Sequence, residues 1–213
     1  MPPIPTKEEL RAALVERHGE ALQARLEQTT VAICGLGGLG SNIAISLARA
    51  GIGKLILIDF DRVDISNLHR QQYRANQVGL FKAEALTEIL KEISPYLDIE
   101  PHIERITEDN FHSLLREADF ICEAFDNPEA KAMLTNGVLE QLPNAYLIAA
   151  SGMAGLGSAN AIQTKKITKH FYLCGDGVSD VTDHSSLVSS RVMICAAHEA
   201  HMVLRILADY FEP

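Results

Sequence analysis

Residues 30–72 read TVAICGLGGLGSNIAISLARAGIGKLILIDFDRVDISNLHRQQ, and this stretch decides the fold. An apolar strand leads into a glycine turn at 35–40, which opens a predicted helix over 39–50. A second apolar strand, Lys54–Ile58, follows and is closed by Asp59. This order of strand, glycine turn, helix, strand and acid is typical of a nucleotide-binding βαβ unit.

The glycine turn fits G-x-G-x-x-G through Gly35, Gly37 and Gly40. A side chain there would obstruct both the sharp turn and the close approach of a phosphate to the backbone. The N-terminus of the following helix favours an anion, and Asp59 lies near the usual spacing for accepting ribose hydroxyls. We therefore predict nucleotide binding, against the alternative of a turn that only packs a helix on a sheet.

Composition sets limits on the protein class. The 213 residues include 47% hydrophobic and 22% charged residues, which is typical of a globular protein. The net charge of −9 argues against a nucleic-acid partner, whose binding sites are basic. The sequence has neither a transmembrane-length apolar run nor a signal peptide, so we expect no membrane association. Four scattered cysteines favour reduced thiols in a cytoplasmic protein; they are Cys34, Cys122, Cys174 and Cys195.

The pattern along the chain predicts an α/β fold. A leading amphipathic helix is expected over 7–27, followed by alternating strands and helices up to residue 150. One of these helices is expected over 108–117, capped by Thr107. Beyond residue 150 the expected elements are antiparallel strands at 159–164 and 170–173, a mobile acidic segment at 175–186 and a last helix over 190–210. This predicts a Rossmann-like, mostly parallel sheet with helices on both faces and a short antiparallel extension near the C-terminus.

We expect one domain over 1–213, made of an N-terminal helical arm at 1–28, a nucleotide-binding core at 29–151 and a C-terminal part at 152–213. Four polar segments follow predicted strands, at 35–40, 59–71, 125–127 and 151–155. Ligands of open parallel sheets bind outside the carboxyl ends of the strands. These segments are therefore expected to converge on one cleft.

Several short motifs together resemble a known family. They are GLGGLGS at 35–41, DFD at 59–61, SNLHRQ at 66–71, GLFK at 79–82 and DN at 126–127. This set is similar to the ThiF/MoeB/HesA superfamily, whose members are related to the adenylation domains of ubiquitin-activating enzymes. The likeness runs from about residue 8 to the end of the chain. It is strongest to a compact ThiF branch associated with thiamine biosynthesis.

The resemblance implies an ATP-dependent adenylyltransferase. The C-terminal carboxylate of a small ubiquitin-like sulfur carrier, ThiS-like and ending in Gly-Gly, would attack the α-phosphate of ATP bound with Mg²⁺. The products would be an acyl-adenylate and pyrophosphate. The resemblance also implies a homodimer in which an N-terminal arginine reaches the partner's site; Arg17 is the first candidate and Arg11 the second.

The resemblance also assigns roles to residues of this sequence. Arg70 would fork onto phosphate oxygens, Lys82 would face the β/γ end, and Asp126 would hold Mg²⁺. The remaining candidates bind the nucleotide; they are Gly35, Gly37, Gly38 and Gly40 at the phosphates, Asp59 at the ribose, Asp61 at the loop or metal, and Asn67 and Gln71 at phosphate or ribose.

Five of the polar candidates also have an ordinary structural alternative. Arg70, Lys82 and Arg17 are also explained as solvated surface cations. Asp126 is also explained as a cap for the helix that begins at Pro128, and Asn67 as a turn residue.

The cysteines depart from the larger relatives, which hold zinc with two C-x-x-C pairs. No such pair occurs here, so no zinc is expected. A metal shared by Cys174, Cys195 and His198 is less favoured than an ordinary buried cysteine beside a helix histidine. Cys174 is an open candidate for sulfur transfer, although no activating base is evident.

Two other functions compete with adenylation. An NAD-dependent oxidoreductase would use the same glycine turn and Asp59, but it has no need of Arg70, Lys82 and Asp126. A non-catalytic module binding a ubiquitin-like protein would not need them either. Among carriers a ThiS-like protein is favoured, while a MoaD-like one and a role in RNA modification stay open.

Overall fold

The computed structural model describes residues 3–181 and 186–213. Within these residues the strands are β1 Thr30–Cys34, β2 Lys54–Ile58, β3 Asp98–His102, β4 Phe120–Glu123, β5 Tyr146–Ala150, β6 Gln163–Lys166 and β7 Phe171–Gly175. The α-helices are α1 Lys7–His18, α2 Glu20–Gln28, α3 Gly38–Ala50, α4 Lys82–Ile93, α5 Phe111–Leu115, α6 Pro128–Gln141 and α7 Ser189–Leu207. Short 3₁₀ turns lie at Ile65–Asn67, Ala75–Gln77 and Ala159–Ala161.

The described strands form one sheet in the order β3-β2-β1-β4-β5-β7-β6. Every pair of neighbours is parallel except β6 and β7, which run antiparallel. This confirms the predicted Rossmann-like sheet and its antiparallel extension. The sequence did not predict that β7 would add to β5 in parallel, with Ala150 opposite Cys174.

Apolar side chains cover both faces of the sheet. One buried cluster joins the strands to α3, α4 and α7, and a second joins them to α5 and α6. Strands buried on both faces need near-continuous apolar sequence, which explains runs such as LILI and YLIAA. Among the described residues, no helix has both the length and the apolar character that a membrane crossing requires.

The single leading helix predicted over 7–27 is wrong, because the chain breaks at Gly19. Gly19 has φ +86°, a conformation that L side chains rarely adopt, and it separates α1 from α2. Arg11 then reaches across the corner to the carboxylates of Glu20 and Glu27. The N-terminal segment is therefore a helical corner.

Other boundaries also differ from the sequence prediction; for example, the last helix, predicted over 190–210, ends at Leu207. The helix expected over 108–117 is only α5, because Asn110 accepts the Thr107 N–H at 2.7 Å and holds a turn ahead of it. Thr107 is therefore not the cap. The strand expected at 159–164 starts at Gln163, after a 3₁₀ turn in which the Ser158 hydroxyl accepts the Asn160 N–H at 3.2 Å.

The segment predicted to be mobile, 175–186, is described only in part, since residues 182–185 lie outside the described residues. Its first part is held by Asp176, whose Oδ1 accepts the N–H groups of Val178 and Ser179 at 2.9 and 2.8 Å. Asp176 Oδ2 lies 2.5 Å from Nη2 of Arg191, on α7. A buried ion pair therefore anchors the chain directly after β7.

Helix α7 carries one unusual core residue, Glu199. It is fully buried, and neither carboxylate oxygen has a hydrogen-bond partner in the part of the chain that the structure describes. Burial, together with the charge of Glu123, raises the pKa of Glu199 well above its ordinary value. The folded protein therefore keeps this side chain protonated in a pH range where the unfolded chain ionises it.

We expect Glu199→Gln to flatten the pH dependence of stability. In the wild type, stability is full below the ordinary pKa of 4.5 and falls as the pH rises, because only the unfolded chain releases the proton. Up to the folded-state pKa, the slope should be about 1.4 kcal/mol per pH unit steeper in the wild type than in the variant. Urea unfolding of both proteins at pH 5.5, 6.5 and 7.5 measures the slope of the unfolding free energy against pH.

The matched control is Glu140→Gln, which neutralises an exposed glutamate near the end of α6. This variant should keep the wild-type slope. Equal slopes for the wild type and Glu199→Gln would show that Glu199 is ionised in the folded protein.

Candidate functional site

The glycine turn lies where β1 ends and α3 begins, and two of its glycines, Gly35 and Gly40, are sterically required. Gly35 has φ +93°, and a Cβ added there would lie 2.8 Å from the carbonyl oxygen of Ala124. A Cβ added at Gly40 would lie only 1.9 Å from the carbonyl oxygen of Gly35. The first turn of α3 therefore packs tightly under the glycine turn, and a helix N-terminus in this position is suited to accept an anion.

Asp59, at the end of β2, fastens this turn. It is 8% exposed; its Oδ2 accepts the Leu36 N–H at 2.7 Å and its Oδ1 accepts the Asp61 N–H at 2.8 Å. Burial raises the pKa of Asp59, and Lys82 opposes that shift. Ribose binding by Asp59, which the sequence predicted, stays a prediction. The sequence did not predict that Asp59 also holds the glycine turn in place.

Lys82 begins α4 and is buried, at 6% exposed. Its Nζ lies 2.8 Å from Asp61 Oδ2 and 3.9 Å from Asp59 Oδ2. Its backbone N–H also donates to the carbonyl oxygen of Asp61 at 2.9 Å. Lys82 is therefore a buried cation beside the glycine turn, and the solvated-surface alternative is wrong for it.

Arg70 and Gln71 lie against the glycine turn from the crossover after β2. A Cβ added at Gly38 would lie 3.5 Å from Cγ of Arg70, and one added at Gly37 would lie 3.6 Å from Nε2 of Gln71. Gln71 is 7% exposed, and its Oε1 has no hydrogen-bond partner among the described residues. A buried polar atom without a partner fits a site that a polar ligand completes.

Arg70 is half-buried, and its Nη1 lies 3.3 Å from Nε2 of His69. Within residues 3–181 and 186–213, no carboxylate forms an ion pair with it. A guanidinium beside a helix N-terminus, free of carboxylates, can fork onto phosphate oxygens. The geometry therefore suits the role that the resemblance implied for Arg70.

Asn67 has a structural task in this conformation. Its Oδ1 accepts the Asp64 N–H at 3.1 Å, and its carbonyl oxygen accepts the N–H groups of Arg70 and Gln71 at 3.1 and 3.0 Å. It thus shapes the turn that presents those two side chains. Direct contact with a phosphate or ribose stays a prediction.

Asp126 follows β4 and is exposed. It does not cap α6, because Asn127 does so by accepting the Ala130 N–H at 2.8 Å. No group of three potential metal ligands occurs in the described part of the chain. A single free carboxylate still fits Mg²⁺, which proteins commonly bind through one or two carboxylates, waters and substrate phosphates.

Sequence reasoning missed the pair Glu123 and Lys131 near the same loop. Glu123 is 1% exposed, and Lys131 Nζ lies 2.8 Å from its Oε2 and 3.0 Å from its Oε1. Lys131 also donates to the carbonyl oxygen of Ala150 at 3.1 Å. The signal was present, because a glutamate inside the buried strand FICE needs a cation beside it.

The two N-terminal arginines differ in their contacts. Arg17 is exposed on α1, and its side chain forms no ion pair with the described residues. Arg11 is engaged by Glu20 and Glu27, which also raise its pKa. Arg17 therefore stays the better candidate for reaching a partner.

The four cysteines are all free and buried. Burial raises the pKa of Cys174, whose Sγ lies 3.5 Å from Oγ1 of Thr164. Nδ1 of His198 lies 2.9 Å from the same threonine oxygen, and His198 forms no hydrogen bond with Cys174 or Cys195. A reactive thiol needs a lowered pKa and exposure, so this conformation does not favour sulfur transfer at Cys174.

Comparison with known proteins agrees with this geometry. The model of the ThiF family matches residues 10–213. Over 118 residues the chain is 41% identical to ubiquitin-like modifier-activating enzyme 5 of Caenorhabditis elegans, covering 50% of this chain and 28% of that protein. Over 127 residues it is 37% identical to adenylyltransferase and sulfurtransferase uba4 of Aspergillus terreus, covering 59% of this chain and 26% of that protein. The match thus spans less than a third of each relative.

A solved structure shows the same fold over nearly the full chain. It is Escherichia coli tRNA N6-threonylcarbamoyladenosine dehydratase, TcdA, in complex with ATP, at a TM-score of 0.86 and 20% identity. The match covers 97% of this chain and 98% of that one. At this identity the likeness concerns the fold.

We expect all four cysteines to be unreactive in the native protein, because they are buried and burial raises their pKa values. A thiol-specific chromogenic reagent at pH 7.5 should detect less than one fast-reacting thiol per chain, and four after unfolding in urea. A fast thiol that disappears in Cys174→Ser would contradict this and revive sulfur transfer there.

Proposed function

The chain belongs to the ThiF family, and from this premise we propose that it adenylates the C-terminal carboxylate of a small ubiquitin-like sulfur carrier. The carboxylate oxygen attacks the α-phosphorus of ATP, and the bond to the bridging α–β oxygen breaks. Pyrophosphate leaves, and the carrier retains AMP in a mixed anhydride. The carrier tail is thereby activated toward a sulfur nucleophile.

One observation carries the proposal: two cationic side chains and the amide of Gln71, with its donor Nε2 beside Gly37, converge on the glycine turn. Arg70 lies over Gly38, Gln71 lies beside Gly37, and Lys82 lies behind Asp59. An anionic tail meets a polyanion in this reaction, so the main requirement is neutralised charge and fixed position. A hydride-transfer enzyme has no such requirement, which disfavours the NAD-dependent alternative.

Each residue has a task in this reaction. The N–H groups at the start of α3 hold phosphate oxygens, and Arg70 binds them in a fixed planar geometry. Lys82 turns from Asp61 toward the β/γ-phosphates. Asp126 would hold Mg²⁺, which would screen the phosphate charge when bound.

We further propose that the carrier is ThiS-like, ends in Gly-Gly and serves thiamine biosynthesis. Four short segments resemble this compact ThiF branch and support the proposal; they are FDN at 125–127, SGMAG at 151–155, CGDG at 174–177 and CAAH at 195–198. The sulfurtransferase in the name of the uba4 relative supports a sulfur carrier. Four free cysteines are consistent with a reducing, cytoplasmic setting.

We expect carrier-dependent exchange of labelled pyrophosphate into ATP, and a loss on the order of a hundredfold or more in Arg70→Ala. Removal of one donor that stabilises developing charge typically costs this much. Arg74→Ala is the matched control, because Arg74 lies four residues away and is paired with Glu92 on the surface. Wild-type exchange in Arg70→Ala would reject the assignment.

We also propose a homodimer in which Arg17 acts on the partner's site. Arg17→Ala and Arg70→Ala should each lack exchange, but mixed dimers would contain one intact site. After subunit exchange, an equimolar mixture should recover about a quarter of the wild-type rate, because half of the dimers are mixed and half of their sites are intact.

The control mixture combines Arg70→Ala with Lys82→Ala. Both residues belong to the same subunit's site, so no mixed dimer has an intact site and no activity should return. Subunit exchange is verified by light scattering of tagged chains. If exchange activity then does not recover in the first mixture, Arg17 does not act on the partner's site.

A further inference from the structure

We propose that the buried ion pair of Glu123 and Lys131 is a positioning device for Asp126, and that it sets how readily the candidate site takes up Mg²⁺. This inference rests on the proposed function. It concerns two residues that do not themselves contact the nucleotide or the metal in that proposal.

The pair connects the three elements around the Asp126 loop. Glu123 is the last residue of β4, and Lys131 lies in the first turns of α6. The ammonium group contacts both carboxylate oxygens of Glu123, at 2.8 and 3.0 Å, and the last carbonyl of β5, at Ala150, at 3.1 Å. One cation thus fixes the ends of two neighbouring strands to the helix that follows Asp126.

The carboxylate of Glu123 also sets the start of the loop. Its Oε1 accepts the Phe125 N–H at 2.8 Å, so the chain bends immediately before Asp126. On the other side, Asn127 caps α6. The Asp126 side chain forms no hydrogen bond or ion pair within the described residues, so its position depends on this backbone.

The same loop packs on the glycine turn. The Ala124 N–H donates to the carbonyl oxygen of Cys34 at 2.8 Å, and a Cβ added at Gly35 would lie 3.1 Å from the Phe125 ring. The position of the backbone around Asp126 is therefore fixed relative to the glycine turn. Loosening of the Glu123–Lys131 pair would misplace the Asp126 carboxylate while leaving Arg70 and Lys82 in position.

The first test measures pyrophosphate exchange against Mg²⁺ concentration at saturating ATP and carrier. In Lys131→Met, the Mg²⁺ concentration for half-maximal exchange should rise on the order of tenfold, because the carboxylate must be repositioned at each binding event. The rate at saturating Mg²⁺ should stay within about twofold of the wild type. Lys131→Arg, which keeps the cation, should restore the wild-type Mg²⁺ dependence.

The matched control is Lys91→Met. Lys91 also donates from a helix to a carbonyl oxygen, that of Leu97 at 2.6 Å, but near the end of α4. Pyrophosphate exchange by Lys91→Met should depend on Mg²⁺ concentration as it does in the wild type.

A second readout does not depend on turnover. The thermal midpoint is measured with ATP in EDTA and with ATP plus Mg²⁺. Lys131→Met should keep the shift caused by ATP alone and lose most of the additional shift caused by Mg²⁺. If Lys131→Met does not fold because Glu123 is left as a buried unpaired charge, the double variant Glu123→Gln/Lys131→Met replaces it under the same criteria.

The outcomes separate the two proposals. Wild-type Mg²⁺ dependence in Lys131→Met, or an equal loss of rate at every Mg²⁺ concentration, overturns the positioning role. Absence of exchange in the wild type overturns the proposed function, and the Mg²⁺-dependent thermal shift then decides the positioning role alone.

Discussion

The structure of the site depends on one carboxylate, that of Asp59. Its two oxygens accept N–H groups from the glycine turn at Leu36 and from the crossover at Asp61. The bond to Leu36 joins residues that are 23 positions apart in the chain, so the carboxylate ties the glycine turn to the end of β2. Because Asp61 in turn holds Lys82, the glycine turn, the crossover and the start of α4 share one anchor.

The same arrangement recurs at two other strand ends. At each, a buried acid accepts the N–H of the residue two positions further on and is paired with a cation from a following helix. The pairs are Asp59 with Lys82, Glu123 with Lys131 and Asp176 with Arg191. The cost of burying these charges is offset by the pairing and by the backbone hydrogen bonds, so each pair specifies a loop conformation at the carboxyl edge of the sheet.

The sequence predicted most of the scaffold. Strand Lys54–Ile58 has its predicted bounds, because an apolar run that is buried on two faces gives a clear sequence signal. It could not predict the break at Gly19, since a helix pattern continues on both sides of that residue. Nor could it predict the partners of Glu123 or Asp176, because those contacts come from helices whose placement only the folded chain defines.

The charges at this edge fall into two groups with different tasks. The paired acids are buried and have their hydrogen bonds satisfied within the protein, so they hold loops in place. Arg70 and Asp126 form no ion pair within the described residues, and they lie on loops that those acids fix. In the proposed function, this unpaired cation and this unpaired anion remain available to a ligand that carries both phosphates and a metal. The buried pairs thus allow the site to be preorganised while its ligand-facing charges stay free.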